Sequence, residues 1–241
     1  MVRIVGLIPE RMNSSRFPGK PLAKINGKPM VQHVYENSKR CSQLDELYVA
    51  TGDKEIMDCV KKFGGKTIAT SDKHYRASNQ CAEAVLNLEH TMGKHFDIAV
   101  MIQGDEPMVT PMMIEQALRP LIVDTNIKVT NLMSHLNIND SDKNEVKVVV
   151  DKDSNAMYFS RFDIPYNCKK LLKQVCIIGF KIDVLKLFSS INETPCERFE
   201  SVDMNRLLEN GIKIKMVYTE HVTYSVDTPS DLKYVEYRMK K

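Results

Sequence analysis

Apolar residues in the first half of the chain fall in short continuous runs. Between the runs they recur every three or four positions. VRIVGLI (2–8), ELYVAT (46–51), KTIAT (66–70), DIAVMIQ (97–103) and KVTNLM (128–133) predict strands. Most of these runs are continuous rather than alternating, as in strands covered on both faces. Ile56, Cys59, Val60 and Phe63 repeat at i, i+3, i+4, i+7. So do Cys81, Ala84, Val85 and Leu88, and again Ile114, Ala117, Leu118 and Leu121. Helices alternating with buried strands predict an α/β fold, with a mainly parallel sheet and helices on both faces.

The second half is less regular. EVKVVVD (145–151), AMYFSR (156–161), QVCIIGFK (174–181) and KIKMVYT (213–219) predict strands, and 182–190 and 196–210 predict helices. A final helix has a clear start signal. Thr228 can cap it, Pro229 suits the first helical position, and Asp231 stands three residues after the cap. No repeat, low-complexity tract or linker divides the sequence, so one domain over 1–241 is expected, with room for a subdomain in the second half.

Composition narrows the function classes. Apolar residues make up 43% of 241, enough for a sizeable core. With 34 Lys and Arg against 31 Asp and Glu, the net charge of +3 excludes a nucleic-acid binder working through bulk charge, and it argues against disorder. No run approaches the ~18 apolar residues of a membrane span. The N-terminal apolar run is too short for a signal peptide and reads as the first strand. Cys41, Cys59, Cys81, Cys168, Cys176 and Cys196 contain no C-x-x-C pair, so zinc is not expected. They are expected to be reduced, in a cytoplasmic protein. The six histidines show no metal-ligand spacing; only His74 adjoins a segment of interest.

Three constellations suggest chemistry. The loop after the first strand, Pro9 to Pro21, carries Arg11, Arg16 and Lys20, with Asn13, Ser14 and Ser15 between them. Three cations at the carboxyl end of a strand suit a nucleoside triphosphate, with Arg making forked contacts and Lys a point contact. Backbone N–H groups around the serines can form an anion nest. The same composition also suits a solvated loop. It is neither a Walker A loop nor a dinucleotide glycine motif. Gln103-Gly104-Asp105-Glu106-Pro107 follows the strand DIAVMI. A carboxylate there suits Mg²⁺, although Gly, Asp and Pro are equally ordinary turn residues. Asp227, just before the capped helix, is a second metal carboxylate or part of the cap. Taken together, a cationic loop and two Asp residues at separate element ends are what metal-assisted nucleotidyl transfer needs.

IPERMNSSRFPGKPLAKINGKPMVQHVYE, IQGDEPMV, EVKVVVD, AMYFSR and VDTPSDL resemble, in order, the CMP-Kdo synthetase family, the 3-deoxy-manno-octulosonate cytidylyltransferases. The resemblance runs from residue 4 to about 235, and its R-x-x-S-x-R-x-P-G-K-P-L signature is specific. It implies a Rossmann-like nucleotide-diphospho-sugar transferase fold, CTP as donor, Mg²⁺ and a homodimer. It also implies CMP transfer to an acidic sugar for lipopolysaccharide or capsule synthesis. By position, Arg11 and Lys20 match triphosphate-binding residues, with Ser14, Ser15 and Arg16 in the same signature. Gln103 lies at the nucleotide-site strand end, Asp105 and Asp227 match the metal aspartates, and Arg161 matches a substrate-side arginine.

The chain departs from the family pattern at the segments expected to touch the sugar. The family's H-x-S-G-T-[ED]-R run reads His74-Tyr75-Arg76-Ala77-Ser78-Asn79-Gln80, with Arg76 as a replacement for the missing arginine. A family histidine falls near Gln174, and E-Q-L-R aligns with 203–206. Phe199, Val202 and Arg206 are expected on one helix face, with Glu200 and Asp203 as i, i+3 neighbours reaching one cleft, or else a solvated acidic face. Arg76, Asn79, Gln80, Arg161, Gln174, Glu200 and Asp203 are therefore the expected acceptor residues, and the expected acceptor is not Kdo. A phosphonate or phosphorylated acid as acceptor, or a catalytically silent nucleotide-binding protein, are the alternatives.

Overall fold

The computed structural model describes residues 2–14, 16–221 and 223–240. The first half runs β1 (Ile4–Pro9), β2 (Lys24–Ile25), β3 (Lys28–Pro29), α1 (Met30–Lys39), β4 (Glu46–Thr51), α2 (Lys54–Lys62), β5 (Thr67–Ala69), α3 (Ala77–Met92), β6 (Ile98–Ile102) and α4 (Pro111–Val123). The second runs β7 (Val129–Asn137), β8 (Lys147–Val150), β9 (Ala156–Ser160), β10 (Lys170–Lys181), α5 (Ile182–Ser190), α6 (Pro195–Glu200), α7 (Asp203–Glu209), β11 (Lys215–Tyr218) and α8 (Pro229–Arg238).

The sheet order is β11-β7-β10-β6-β1-β4-β5, with β8 on β10 and β9 on β8. The centre, β6-β1-β4-β5, is parallel, as the alternation of runs and helices predicts. Every residue of β1 and β6 is buried. Val5, Leu7, Ala99 and Met101 meet the apolar stripes of α3 and α5 on one face. Ile4, Ile8, Ile98, Val100 and Ile102 meet α1, α2 and α4 on the other. Each such aliphatic side chain contributes roughly 1.5–3 kcal/mol on burial. The helices therefore cover both faces and hold the two strand ends that matter below in fixed register.

The second half differs from the sequence expectation in two places. β7 and β10 are longer than predicted, and β10 runs antiparallel between β6 and β7. Their outer parts, SHLN and KLLKQ, are broken by polar residues, so they lack the continuous apolar signal. The helix predicted over 196–210 is two helices. Ser201 adopts a left-handed conformation, φ 53°, and turns the chain between α6 and α7. As a result Phe199 is 83% exposed while Val202 and Arg206 are buried, so no common face exists. Arg206 turns inward because the buried Glu197 carboxylate takes both its Nε, at 2.6 Å, and its Nη2, at 2.7 Å. Among the described residues no helix is long and apolar enough to cross a membrane.

Candidate active site

β1 and β6 are parallel neighbours, so their carboxyl ends open side by side. β1 runs into the cationic loop and β6 into Gln103-Gly104-Asp105. The segment before α8 closes against them through a hydrogen bond from Val226 N–H to the Asp105 carbonyl, 2.9 Å. The α8 cap forms as predicted: Thr228 accepts from Asp231 N–H, and the Asp231 carboxylate accepts from the N–H groups of Thr228 and Asp227. The cap thus fixes the backbone of Asp227 facing Asp105.

Lys20 joins the two carboxylates. Its Nζ donates to Asp105 Oδ2 at 2.9 Å and to the Val226 carbonyl at 2.8 Å, and it lies 3.5 Å from Asp227 Oδ1. Burial pulls the Lys20 pKa down, but Asp105, Asp227 and Glu10 together outweigh it and the net shift is upward. Burial also raises the Asp227 carboxyl, with Asp105 adding to the rise against Lys20 and Arg16. Arg16 donates to Asp227 Oδ1 at 2.8 Å and to the Asn144 side chain. Arg11 donates to the His74 carbonyl at 3.2 Å, and the loop itself is held by Met12 N–H on Asp53, 2.7 Å.

Two clefts meet at this cluster. The first is walled by the loop and contains Arg11, Ser14, Arg16, Lys20 and Gln103. The second contains Arg161, Gln174 and Asp203. Arg16, Gln103, Asp105 and Asp227 line both. A ligand with phosphates on the loop and a second ligand in the other cleft would therefore meet between the two aspartates. Ser15, expected in the triphosphate loop, lies outside the described residues.

Several expected acceptor residues stand elsewhere. Arg76 and Gln80 line the loop-side cleft, not the second one. Gln80 is buried and uses its amide on the carbonyls of Glu10 and Ala50 and on Thr70, pinning strand ends together. Arg76 ion-pairs with Glu193 and Glu197. Asn79 lines neither cleft. Glu200 also lines neither: the break before α7 separates it from Asp203, and it accepts instead from Tyr158 and the Arg161 N–H. Arg161 borders the second cleft, but its guanidinium is engaged by the backbone carbonyls of Lys143, Asn144, Glu200 and Ser201. Asp203 borders it while accepting from Ser78 N–H in the first turn of α3, and Gln174 donates to Asn131 at 2.6 Å. His74 pairs with Glu83.

Two buried carboxyls were not singled out from sequence. Glu106 accepts from Thr223 and Ser225, tying the segment before Asp227 to the end of β6. Burial, with Asp105 adding, pushes its pKa up to about 7. Glu10 lies beneath the loop-side cleft. Burial pushes it up to about 8, with Lys20 opposing and Asp105 adding. The signal for Glu10 was a charged residue directly after a wholly buried strand; Glu106, four residues past the end of β6, carried no such signal.

The cytidylyltransferase family matches residues 5–214. A 3-deoxy-manno-octulosonate cytidylyltransferase from Thermodesulfovibrio yellowstonii is 40% identical over 244 residues, covering 95% of each chain. A mitochondrial one from Arabidopsis thaliana is 38% identical over 99% of this chain and 84% of its own. Among solved structures, a CMP:2-keto-3-deoxy-manno-octonic acid synthetase complexed with CTP superposes with a TM-score of 0.89 at 36% identity, covering 99% of this chain and 98% of that one. A 4-diphosphocytidyl-2C-methyl-D-erythritol synthase from Anaerococcus prevotii, at 14% identity and TM-score 0.68, shares the fold.

Proposed function

Because the chain belongs to the CMP-Kdo synthetase family of cytidylyltransferases and is a CTP-using nucleotidyltransferase, we propose that it transfers CMP to a hydroxyl of a 2-keto-3-deoxy sugar acid, Kdo first among them. The observation that carries this reading is the junction of two clefts at Asp105 and Asp227, one walled by the cationic loop. The expectation of a different acceptor comes from three departures, at residues 74–80, at Gln174 and at residues 203–206, of which Gln174 and Asp203 do border the second cleft. Arg76 and Gln80 line the nucleotide side and are engaged in structural bonds, and the relatives quoted are named for Kdo, so that expectation loses its support.

In this reading Arg11, Arg16 and Lys20 receive the β- and γ-phosphates. Arg16 and Lys20 reach them by exchanging carboxylate partners for phosphate oxygens. The acceptor sits in the second cleft, between Gln174 and Asp203, with its wall held by the Arg161 clamp. Its hydroxyl oxygen attacks the α-phosphorus in line, the bond to the β-phosphate oxygen breaks, pyrophosphate leaves, and the hydroxyl proton passes to solvent. Two carboxylates already sharing one cation fit Mg²⁺, which takes one or two carboxylates and completes its shell with phosphates and water. Asp105 and Asp227 would hold it, and when bound it supplies charge neutralisation at the reacting phosphate and a lower pKa for the attacking hydroxyl. The exposed aromatics Phe162 and Tyr166 support a homodimer, and six unpaired thiols support a cytoplasmic setting within cell-surface polysaccharide synthesis. Incubation with CTP, Mg²⁺ and Kdo should yield a new phosphodiester resonance and pyrophosphate by ³¹P NMR. CTP left intact under those conditions would contradict the proposal.

A further inference from the structure

Glu10 follows β1 directly, at the point where a buried strand opens into the nucleotide loop. Its N–H donates to the Ala50 carbonyl at 2.9 Å, and its own carbonyl accepts from Gln80 at 3.2 Å. With the backbone held on both sides, the side chain lies against Gly104 at the end of β6. A Cβ at position 104 would stand 1.9 Å from Glu10 Oε1, so the carboxyl occupies space that only glycine leaves open.

One oxygen of that carboxyl has no donor among the described residues. The residue is 6% exposed, and that oxygen, Oε1, is buried. An unsatisfied buried carboxyl costs stability, and such a group calls for an explanation beyond packing. The side chain lines the loop-side cleft, so a bound nucleotide is the available source of donors.

The position of the carboxyl selects which donors. The reacting α-phosphorus belongs between Asp105 and Asp227. Glu10 packs on the residue before Asp105 and feels both Asp105 and Lys20. The part of the nucleotide joined directly to the α-phosphate is the ribose, whereas the cytosine amine is at the far end of the molecule. A carboxyl can pair with vicinal ribose hydroxyls through its acceptor oxygens, as acidic residues do in dinucleotide sites.

We infer that Glu10 receives the ribose hydroxyls of CTP and so sets the preference for a ribonucleotide over a deoxyribonucleotide. The inference rests on the proposed binding of CTP in the loop-side cleft. The test compares wild type, Glu10→Ala and Glu10→Gln with CTP, 2′-deoxy-CTP and 3′-deoxy-CTP. It reads kcat/KM with Kdo, and binding by calorimetry without acceptor. Wild type should prefer CTP over at least one deoxy analogue by about two- to tenfold, the net worth of an ordinary hydrogen bond. Glu10→Ala should bring that preference close to unity. Glu10→Gln, which keeps one acceptor oxygen, should retain part of it and decides the matter if the alanine variant does not fold. An unchanged preference in the variants, or none in wild type, would overturn the inference. A wild type that prefers CTP in calorimetry but releases no pyrophosphate would sink the transfer reading and leave this one standing.

Discussion

Lys20, Asp105 and Asp227 show how a near-neutral chain builds a highly charged site. One buried ammonium holds two carboxylates within 3.5 Å, and the net charge of +3 gives no hint of it. Glu10 adds a group with its own signature in stability. Its pKa rises from 4.5 to about 8 on folding, mainly through burial. The folded state then holds the proton more tightly than the unfolded chain. The contribution of Glu10 to stability is therefore fullest below about 4.5 and is lost as pH rises toward about 8. Glu10→Gln removes that loss, so in urea unfolding the variant should gain on wild type between pH 6 and pH 9. Parallel pH profiles would show that Glu10 does not titrate this way. The loop cations and the two aspartates were visible as residues at element ends, but that Lys20 joins both carboxylates was not. The duties of Arg76, Gln80, Arg161 and Glu200 were not legible, because they depend on contacts with chain 30 or more residues away.

The pattern of apolar positions located β1, β4, β5 and β6 and the helices α2, α3 and α4, because the strands lie between helix layers and each helix buries one apolar stripe, while β2, β3 and α1 lie outside it. The pattern gave less where burial is one-sided. The outer parts of β7 and β10 are broken by polar residues, and the helix over 196–210 is split at Ser201. That split has a cause in the fold. Glu197 is fully buried and its charge is met by Arg206 from α7 and by Arg76, the residue just before α3. The three elements are locked around one carboxylate, and α7 in turn presents Asp203 to the α3 N-terminus and the second cleft. Removing one partner of a buried ion pair strands the other charge, which costs about 3–5 kcal/mol. Arg206→Ala should lose stability on that scale in chemical unfolding. A loss under about 1 kcal/mol, the size of an exposed pair, would contradict the locking role.

The sheet as a whole brings three distant segments together: the loop after β1, the end of β6, and the cap of α8. β10, antiparallel beside β6, supplies Gln174 and Cys176 to the wall of the second cleft. Because the site draws on nearly the full length of the chain, ligand binding should stabilise the entire fold. At CTP a hundredfold above its dissociation constant, the gain is about 2.7 kcal/mol. For a chain of this length that is roughly 5–10 °C in Tm. Differential scanning calorimetry checks it, and an unmoved transition at saturating CTP would argue against the loop-side cleft as the nucleotide site. The most direct test of the transfer reading is pyrophosphate release from CTP and Mg²⁺ with and without Kdo, in wild type and in Asp105→Ala. Release that requires Kdo and is lost in Asp105→Ala, with the thermal transition of the variant intact, is the expected result. Release independent of Asp105, or none with Kdo, would contradict it.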